Sequence, residues 1–298
     1  MLSASKKSTP VPDRQGLVLT AVGALGVSCV MTQLALMREL LGAFAGNEMV
    51  LGVVLGLWLL LMGIGAWLGH NSDKLRHQLT ALALIQMLVA LLPLAQVFLL
   101  RALRNVVFIR GAAVGVAETV GASFVLLLPY CLVAGYALTL ACGILARQQG
   151  PAGIGRAYVA DSIGSIIGGA LFSFVLVRSF DHIAILAYPA LLNLLLAGLL
   201  GSGVQGLKSK VQSSKFASLL LPASALILGL GLIATILLFD LDDLSTRLQY
   251  PRQHIVARAN SPYGKLIVTE SYGQFDFLEN GIPITSTRDD EHVEETVH

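Results

Sequence analysis

Long apolar runs dominate the sequence and restrict what the chain can fold into. A helix that crosses a bilayer needs about 20 mostly apolar residues. Seven runs of this kind cover roughly residues 17–37, 49–69, 79–100, 112–146, 157–178, 183–204 and 218–239. Only 13% of the residues are charged, against about 25% in soluble domains, so an aqueous core would not cover this much apolar surface. We therefore expect a mainly α, polytopic membrane helix bundle of about seven spans, dissolved in a lipid bilayer.

The sequence departs from this pattern in the fourth run and at the ends of two others. The run at 112–146 is too long for one straight crossing and carries Pro129 near its middle. It predicts a kinked or broken helix, with two short passes as an alternative. Residues 101–110 space three arginines among apolar residues, which predicts an interfacial amphipathic segment. The pair Arg38-Glu39, which ends the first run, is also expected at the interface.

Glycines recur four residues apart within several runs. This spacing lets helix backbones approach each other closely in lipid. The pairs are Gly52 with Gly56, Gly65 with Gly69, and Gly164 with Gly168. We interpret all three as packing within one bundle, because nothing else in the sequence demands a dimer.

The chain becomes polar after residue 239 and ends in strand-like segments. This change divides it into a polar tail (1–16), a helical bundle (17–240) and a small β-domain (241–298). The segments KLIVTE, QFDFLEN and IPITS predict a three-stranded meander with a hairpin turn at Asn280-Gly281 and Pro283 in an edge strand. Alternation places Phe275 and Phe277 on one face and Asp276 on the other. So small a sheet has little core and needs a partner surface.

Asp161 is the clearest ionisable residue within an apolar run. Charges inside membrane spans are candidates for function because their desolvation is costly. Tyr158, Asp161, Ser165 and Gly168 follow helical spacing and share a face, which favours a substrate or proton site in the bundle. The structural alternative places Asp161 near a helix start, about a turn from Arg156, where it stabilises the N-terminal dipole.

Glu118 is a second candidate for an intramembrane polar site. It either pairs with Arg110 or Arg104, or lies in the headgroup layer. No carboxylate in the sequence has an evident acid–base partner.

The stretch GLGLIA at 229–234 matches a dinucleotide fingerprint by chance, since it lies inside an apolar run without a preceding strand. The three cysteines lack a CxxC pair and the histidines lack HxxxH spacing, so no metal site is predicted. A net charge of +2 without a basic, aromatic-rich tract argues against a nucleic-acid partner.

Three apolar stretches and the C-terminal segment together resemble one family. LLLPYCLVAGYALTLACGILA, IGRAYVADSIGSIIGGALFSFVLV and LAYPALLNLLLAGLL resemble the integral-membrane half of membrane-bound spermidine synthase-like proteins. SPYGKLIVTE, followed by FLENGIPITSTRDDEHVEETVH, resembles the small N-terminal β-domain of spermidine synthases. The resemblance covers nearly the whole chain and is more specific in the tail, where several features occur in order.

The resemblance implies an enzyme whose catalytic residues lie elsewhere. In that family a Rossmann-like domain follows the β-domain and moves an aminopropyl group from decarboxylated S-adenosylmethionine to putrescine. This chain is then expected to hold no catalytic residue and no cofactor alone, and to need a separate or downstream Rossmann-like domain for that co-substrate. We expect the membrane part of such an aminopropyltransferase, truncated or split, as a multi-pass protein of the cell membrane. The alternative is a small-solute transporter or a non-catalytic membrane scaffold with a docking β-tail.

One substrate-pocket position is carried over by the resemblance. Glu294 and His298, spaced E-x-x-x-H, resemble the acidic-to-His segment that ends the family's β-domain, so His298 is implied as a polyamine-binding residue. The strand position that often holds a cofactor-contacting glutamine is occupied by Gly264, which removes a hydrogen-bonding side chain. An end residue without a role is the alternative for His298.

The distribution of basic residues predicts which ends of the spans face the cytoplasm. With a cytoplasmic N-terminus, the inside loops hold Lys6, Lys7, Arg14, Lys74, Arg76, Arg147, Arg156, Lys208, Lys210 and Lys215. The outside loops then hold Arg38, Arg101, Arg104, Arg110 and Arg178. This bias favours a cytoplasmic N-terminus, and seven spans then place the β-domain outside, whereas adenosylmethionine derivatives are cytoplasmic. Either the fourth run crosses twice, or the charge rule misleads, or the β-domain is not catalytic.

Overall fold

Long helices make up most of the chain. The computed structural model describes residues 14–44, 48–108, 114–205, 215–250, 253–260, 265–279 and 282–287. The helices are α1 (Arg14–Ala43), α2 (Glu48–Gly69), α3 (Gln78–Val107), α4 (Val116–Gln149), α5 (Pro151–Leu171), α6 (Val177–Ser179), α7 (His182–Gln205), α8 (Lys215–Leu238) and α9 (Leu241–Gln249). A 3₁₀ turn, His70–Lys74, follows α2, and a π-helical segment, Phe172–Leu176, joins α5 to α6. Seven helical segments within the described residues are long and apolar enough to cross a membrane, where α5, the π-helical segment and α6 count as one segment. This confirms the predicted bundle.

The fourth apolar run forms one helix, so the prediction of a broken segment or of two passes is wrong. The helix α4 continues for 34 residues through Pro129. The proline removes one backbone hydrogen bond, but neighbouring helices hold this part of α4: Leu127, Tyr130 and Cys131 beside it are buried. With an odd number of crossings, the start of α1 and the end of α8 lie at opposite ends of the bundle.

Close glycine contacts hold two pairs of helices together. A Cβ at Gly164 would overlap the carbonyl oxygen of Gly23, so α5 lies directly against α1. A Cβ at Gly65 would likewise overlap the backbone of Leu132, so α2 lies against α4. The prediction of packing within the bundle is confirmed at these positions. It is wrong for Gly52 and Gly56, where an added Cβ would meet no atom of another helix within 4 Å.

The outer surface of the bundle is apolar. The helix α8 packs mainly along α7, and side chains such as Leu226, Ile227, Leu230 and Leu237 are more than half exposed. An exposed apolar surface of this extent suits lipid and not water.

The C-terminal part forms one antiparallel sheet of four strands in the order β1-β2-β3-β4. The strands are β1 (His254–Asn260), β2 (Lys265–Ser271), β3 (Gln274–Glu279) and β4 (Ile282–Ser286). Pro283 lies in the edge strand β4, as predicted. The register pairs Val268 with Phe277 and Thr269 with Asp276, so the predicted faces of β3 are confirmed. The strands β3 and β4 pair through Glu279 and Ile282, while the predicted turn at 280–281 lies outside the described residues.

The sheet has one strand more than the three predicted. The apolar residues of β1 do not alternate cleanly, because the β1–β2 register shifts between Ile255 and Ala257 and leaves Val256 as an extra residue. Such a bulge interrupts the period of two by which a strand is recognised. The turn between β2 and β3 was also not predicted. Tyr272 and Gly273 both have positive φ angles, 51° and 79°, as type I′ hairpin turns require.

Candidate functional site: a buried ionic cluster

A buried arginine lies at the centre of the end of the bundle next to the sheet. Arg101, near the end of α3, is 1% exposed. Its Nε lies 3.0 Å from Oε2 of Glu39 in α1, and its Nη2 lies 2.5 Å from Oε1 of the same carboxylate. This two-point geometry matches the fork of an arginine to the two oxygens of a carboxylate. It fixes the end of α1 against the end of α3.

The remaining donors of Arg101 bind the short helix that follows the last span. Nη1 donates to Oδ1 of Asp242 at 2.7 Å and to Oγ of Ser245 at 2.6 Å, both in α9. Asp242 and Ser245 are themselves buried. One guanidinium therefore links α1, α3 and α9.

His182, the first residue of α7, completes what we call the Arg101 cluster: Glu39, Arg101, His182, Asp242 and Ser245. Its Nδ1 lies 2.5 Å from Oε1 of Glu39. Since a carboxylate accepts, Nδ1 carries the hydrogen and donates. The other ring nitrogen, Nε2, is buried and has no hydrogen-bond partner among the described residues. The cluster combines two carboxylates, a guanidinium and an imidazole, which suits charge compensation and rigid positioning.

A second arginine carries the ionic contacts from α9 into the sheet. Nη1 of Arg258, in β1, lies 3.4 Å from Oδ2 of Asp242, and its Nη2 binds the carboxylate of Asp240. Burial lowers the pKa of Arg258, but the hydrogen bond and charge of Asp240 outweigh this, so that the pKa is raised. Asp242 thus binds Arg101 with one oxygen and Arg258 with the other, and connects bundle to sheet.

The helix α9 turns its polar side inward. Asp240 caps the helix by accepting a hydrogen bond from the backbone N–H of Asp243 at 2.9 Å. Thr246, one turn on from Asp242, is buried with it, whereas Leu244 and Leu248 are exposed. At the end of a membrane bundle this arrangement places the leucines toward the lipid interface and the polar residues on Arg101. Tyr250 lies directly after α9, and its burial raises the pKa of its phenol to about 12. The positive charge of Arg104 lowers this pKa in part, and the negative charge of Glu39 raises it.

An open cavity of about 340 Å³ lies beside the cluster. The start of α7, the end of α8 and the start of α9 line it, with Asp181, Asp240 and Asp242 as its acidic residues. Asp240 and Asp242 are already held by Arg258 and Arg101. Within the described residues, no group of three or more His, Cys, Asp or Glu side chains is placed to hold a metal ion.

The predicted face around Asp161 is divided between two environments. The helix α5 begins at Pro151, so Asp161 lies in its third turn, and the alternative that it stabilises a helix start is wrong. Asp161 is half-buried toward Gly26 of α1. Ser165 lies on the same side, with its Oγ 3.5 Å from the carbonyl oxygen of Gly26. Tyr158 is exposed on the outer surface and does not join them.

Glu118, a further predicted site residue within the described part of the chain, does not join the Arg101 cluster. Glu118 is exposed in the first turn of α4, and Nε of Arg104 donates to the carbonyl oxygen of Ala43 at 3.0 Å. Arg110, the other predicted partner of Glu118, lies outside the described residues. The implied polyamine-binding residue His298, together with Glu294 and Gly264, also lies outside the described residues.

The sequence did not predict that two members of the cluster are buried. Glu39 and Arg101 were predicted at the interface because each lies at the end of an apolar run, and both are buried. The cluster members come from widely separated positions, so no local spacing announces them. The available signal was an ionisable residue at the end of each of three apolar runs, those of α1, α3 and α7, together with the acidic segment after α8.

The chain was compared with protein-family models, with curated proteins and with solved structures, and none of the three comparisons gave a match.

Proposed function

We propose that the chain is the membrane part of a spermidine synthase-like aminopropyltransferase of the cell membrane, and that it transfers no aminopropyl group by itself. In this proposal the seven-helix bundle is a membrane scaffold. It positions the small β-sheet for contact with a Rossmann-like catalytic domain. That domain binds decarboxylated S-adenosylmethionine and putrescine. This chemistry is supported by the resemblance of three apolar stretches to the membrane half of spermidine synthase-like proteins, and of the C-terminal segment to the small β-domain of spermidine synthases.

One observation supports the role of the bundle as a scaffold for the sheet. Asp242 binds Arg101 of the bundle and Arg258 of the sheet at the same time. The sheet itself has a small apolar core, in which Ile267 and Leu278 are opposite each other and buried. A sheet needs a hydrophobic face or a packing partner to be stable in isolation, and these two are the buried apolar side chains among its described residues. A fixed ionic connection to a rigid bundle supplies the support that the sheet lacks.

The direct test is an activity assay of the purified chain with decarboxylated S-adenosylmethionine and putrescine. We expect no spermidine from the chain alone, and turnover when the proposed catalytic domain is added. Spermidine formation by the chain alone would overturn the claim that its active site lies elsewhere. No turnover with the added domain would overturn the aminopropyltransferase assignment.

The side of the membrane on which the sheet lies gives a second test. Since α4 crosses once, the sheet and the N-terminal end are on opposite sides, and the bias of basic residues predicts a cytoplasmic N-terminal end. A cytoplasmic co-substrate requires the opposite orientation. Ala259→Cys places a thiol on the exposed part of β1. Labelling by an impermeant maleimide only after permeabilisation supports the transferase, and labelling in intact cells contradicts it.

A small-solute transporter is the second candidate, favoured by the half-buried carboxylate of Asp161 between α5 and α1. Ionisable groups within spans commonly mark substrate or ion pathways. Asp161→Asn keeps the size and removes the charge. Loss of uptake in cells with normal folding would support transport, and a folding defect alone would support a structural role.

A further inference from the structure

The end of the bundle opposite the sheet contains a second open cavity, of about 460 Å³. It lies between the end of α2, the 3₁₀ turn, the end of α4 and the start of α5. Its polar lining residues are His70, Ser72, Asp73, Thr139 and Arg147, and its apolar ones include Cys142 and Ile154. The cavity therefore has a charged side and an apolar side.

Two glycines leave the room that this cavity needs. A Cβ at Gly143 would lie 3.2 Å from Oδ1 of Asp73 and 3.9 Å from Oγ of Ser72. A Cβ at Gly69 would lie 2.8 Å from Cβ of Thr139. Larger side chains at these positions would fill the space between α2, α4 and the 3₁₀ turn.

Aromatic residues place the cavity at the level of the membrane interface. Trp67 is exposed and stacks on His70, with ring centroids 6.2 Å apart and an interplanar angle of 27°. Tryptophan at the end of a span is typical of the headgroup region. Ile154, which lines the cavity, and Leu68, next to the lining residue Gly69 in the sequence, are exposed apolar side chains that suit neighbouring acyl chains.

Arg147 is the cationic residue of the cavity lining, and further basic residues lie close to the lining segments in the sequence. In residues 69–78 and 146–156 the cationic side chains are Lys74, Arg76, Arg147 and Arg156, and Asp73 is the single carboxylate. Arg147 is about half exposed, its Nη2 lies 3.5 Å from Oδ1 of Asp73, and it also binds the carbonyl oxygen of Asp73. The carboxylate therefore orients the guanidinium that lines the cavity, while the other three cations are neighbours in the sequence and are not part of the lining.

We infer that this cavity binds the phosphate headgroup of an anionic phospholipid, with Arg147 as its main cationic contact. Basic pockets between helices at a membrane surface are suited to such headgroups. The acyl chains then run along the exposed side chains of α2 and α5. This site is at the other end of the bundle from the Arg101 cluster and does not depend on the proposed function.

Native mass spectrometry of the full chain in detergent tests the inference, with phosphatidylglycerol and phosphatidylcholine of the same acyl chains as probes. We expect phosphatidylglycerol to be retained more strongly, and Arg147→Gln to reduce its binding about fivefold, as the loss of one cation near a membrane surface should. The matched control Arg178→Gln removes an exposed cation at the opposite end and should leave the preference unchanged.

Two further arms separate the possible sources of the signal. Gly143→Leu fills the cavity without changing charge, and it should remove the preference if the headgroup enters the cavity. Inorganic phosphate added at the lipid concentration should not displace phosphatidylglycerol. Equal retention of both lipids, an unchanged preference in Arg147→Gln, a loss equally large in Arg178→Gln, or displacement by phosphate would each overturn the inference. Thermal unfolding of every variant checks that it is folded, and a misfolded Gly143→Leu would be replaced by Gly143→Ala.

Discussion

The two ends of the bundle each contain an arginine–carboxylate pair, and the pairs differ in their surroundings. Arg101 and Glu39 have side chains that are 1% and 7% exposed, whereas those of Arg147 and Asp73 are 52% and 63% exposed. A buried pair depends on complete compensation, because an unpaired charge without water is costly. An exposed pair is screened by water and contributes little. The same chemistry thus fixes structure at one end and leaves a half-exposed, ion-paired guanidinium in contact with the surroundings at the other.

Removal of the buried guanidinium should have the largest effect. Arg101→Gln leaves the carboxylates of Glu39 and Asp242 buried without their shared partner, and we expect a loss of about 3–5 kcal/mol in the free energy of unfolding. Denaturation in detergent, followed by circular dichroism, measures it. The triple variant that also carries Glu39→Gln and Asp242→Asn removes the orphaned charges and should recover part of the loss. Equal stability of Arg101→Gln and the wild type would remove the distinction between the two ends.

Removal of the Asp242 carboxylate in α9 should have a smaller effect on the free energy of unfolding. Asp242→Asn keeps the shape but weakens the contacts to both Arg101 and Arg258, and we expect a cost of about 1.5–3 kcal/mol for hydrogen bonds to charged groups. Since Glu39 still compensates Arg101, the bundle should stay folded while α9 detaches. Limited proteolysis should therefore cut faster within residues 241–250. Asp73→Asn, which changes the carboxylate of the exposed pair at the other end of the bundle, is the matched control and should leave the cleavage rate near that of the wild type.

Tyr250 should make the stability of the bundle end that contains the Arg101 cluster depend on pH in the alkaline range. An unfolded tyrosine ionises near pH 10, and burial raises the pKa of Tyr250 to about 12. Because the folded state favours the neutral phenol, this contribution to stability is complete below about pH 10 and is lost as the pH rises through about 12. Absorbance at the tyrosinate band, compared with that of Tyr250→Phe, gives the pKa. Ionisation of Tyr250 near pH 10 would show that the segment after α9 is not held against the bundle.

Breaking the exposed pair should have the smallest effect on stability. Arg147→Gln or Asp73→Asn is expected to change the free energy of unfolding by less than about 1 kcal/mol. The same denaturation experiment measures it beside Arg101→Gln. A cost as large as that of the buried pair would mean that the open cavity is part of the structural framework, and would count against its role as a lipid site.

The sequence predicted the helices better than it predicted what connects them. Length and hydropathy located all seven spans, and the spacing of Gly164 and Gly168 predicted a close helix contact, because these signals are local. Pro129 misled the prediction for α4, since the packing of neighbouring helices was not visible in the run itself. The bulge at Val256 concealed β1 for a related reason, because it breaks the period of two within the strand.

The site was harder to predict than the fold. Asp161 is half-buried, as a charge inside a span should be, but it has no ionic group of the Arg101 cluster beside it. Glu39 and Arg101 lie at the ends of apolar runs, where charged residues normally meet water or headgroups. Their burial depends on α9 folding back over them, and this is a long-range contact that no spacing in the sequence encodes.

Hydrogen exchange of the α9 amides shows whether the buried guanidinium of Arg101 holds α9 and the sheet on the bundle. The measurement compares residues 241–249 in the wild type, in Arg101→Gln and in Arg147→Gln, under conditions in which the spanning helices stay protected. We expect protected α9 amides in the wild type and in Arg147→Gln, and fast exchange in Arg101→Gln. Unchanged protection of α9 in Arg101→Gln would contradict this expectation.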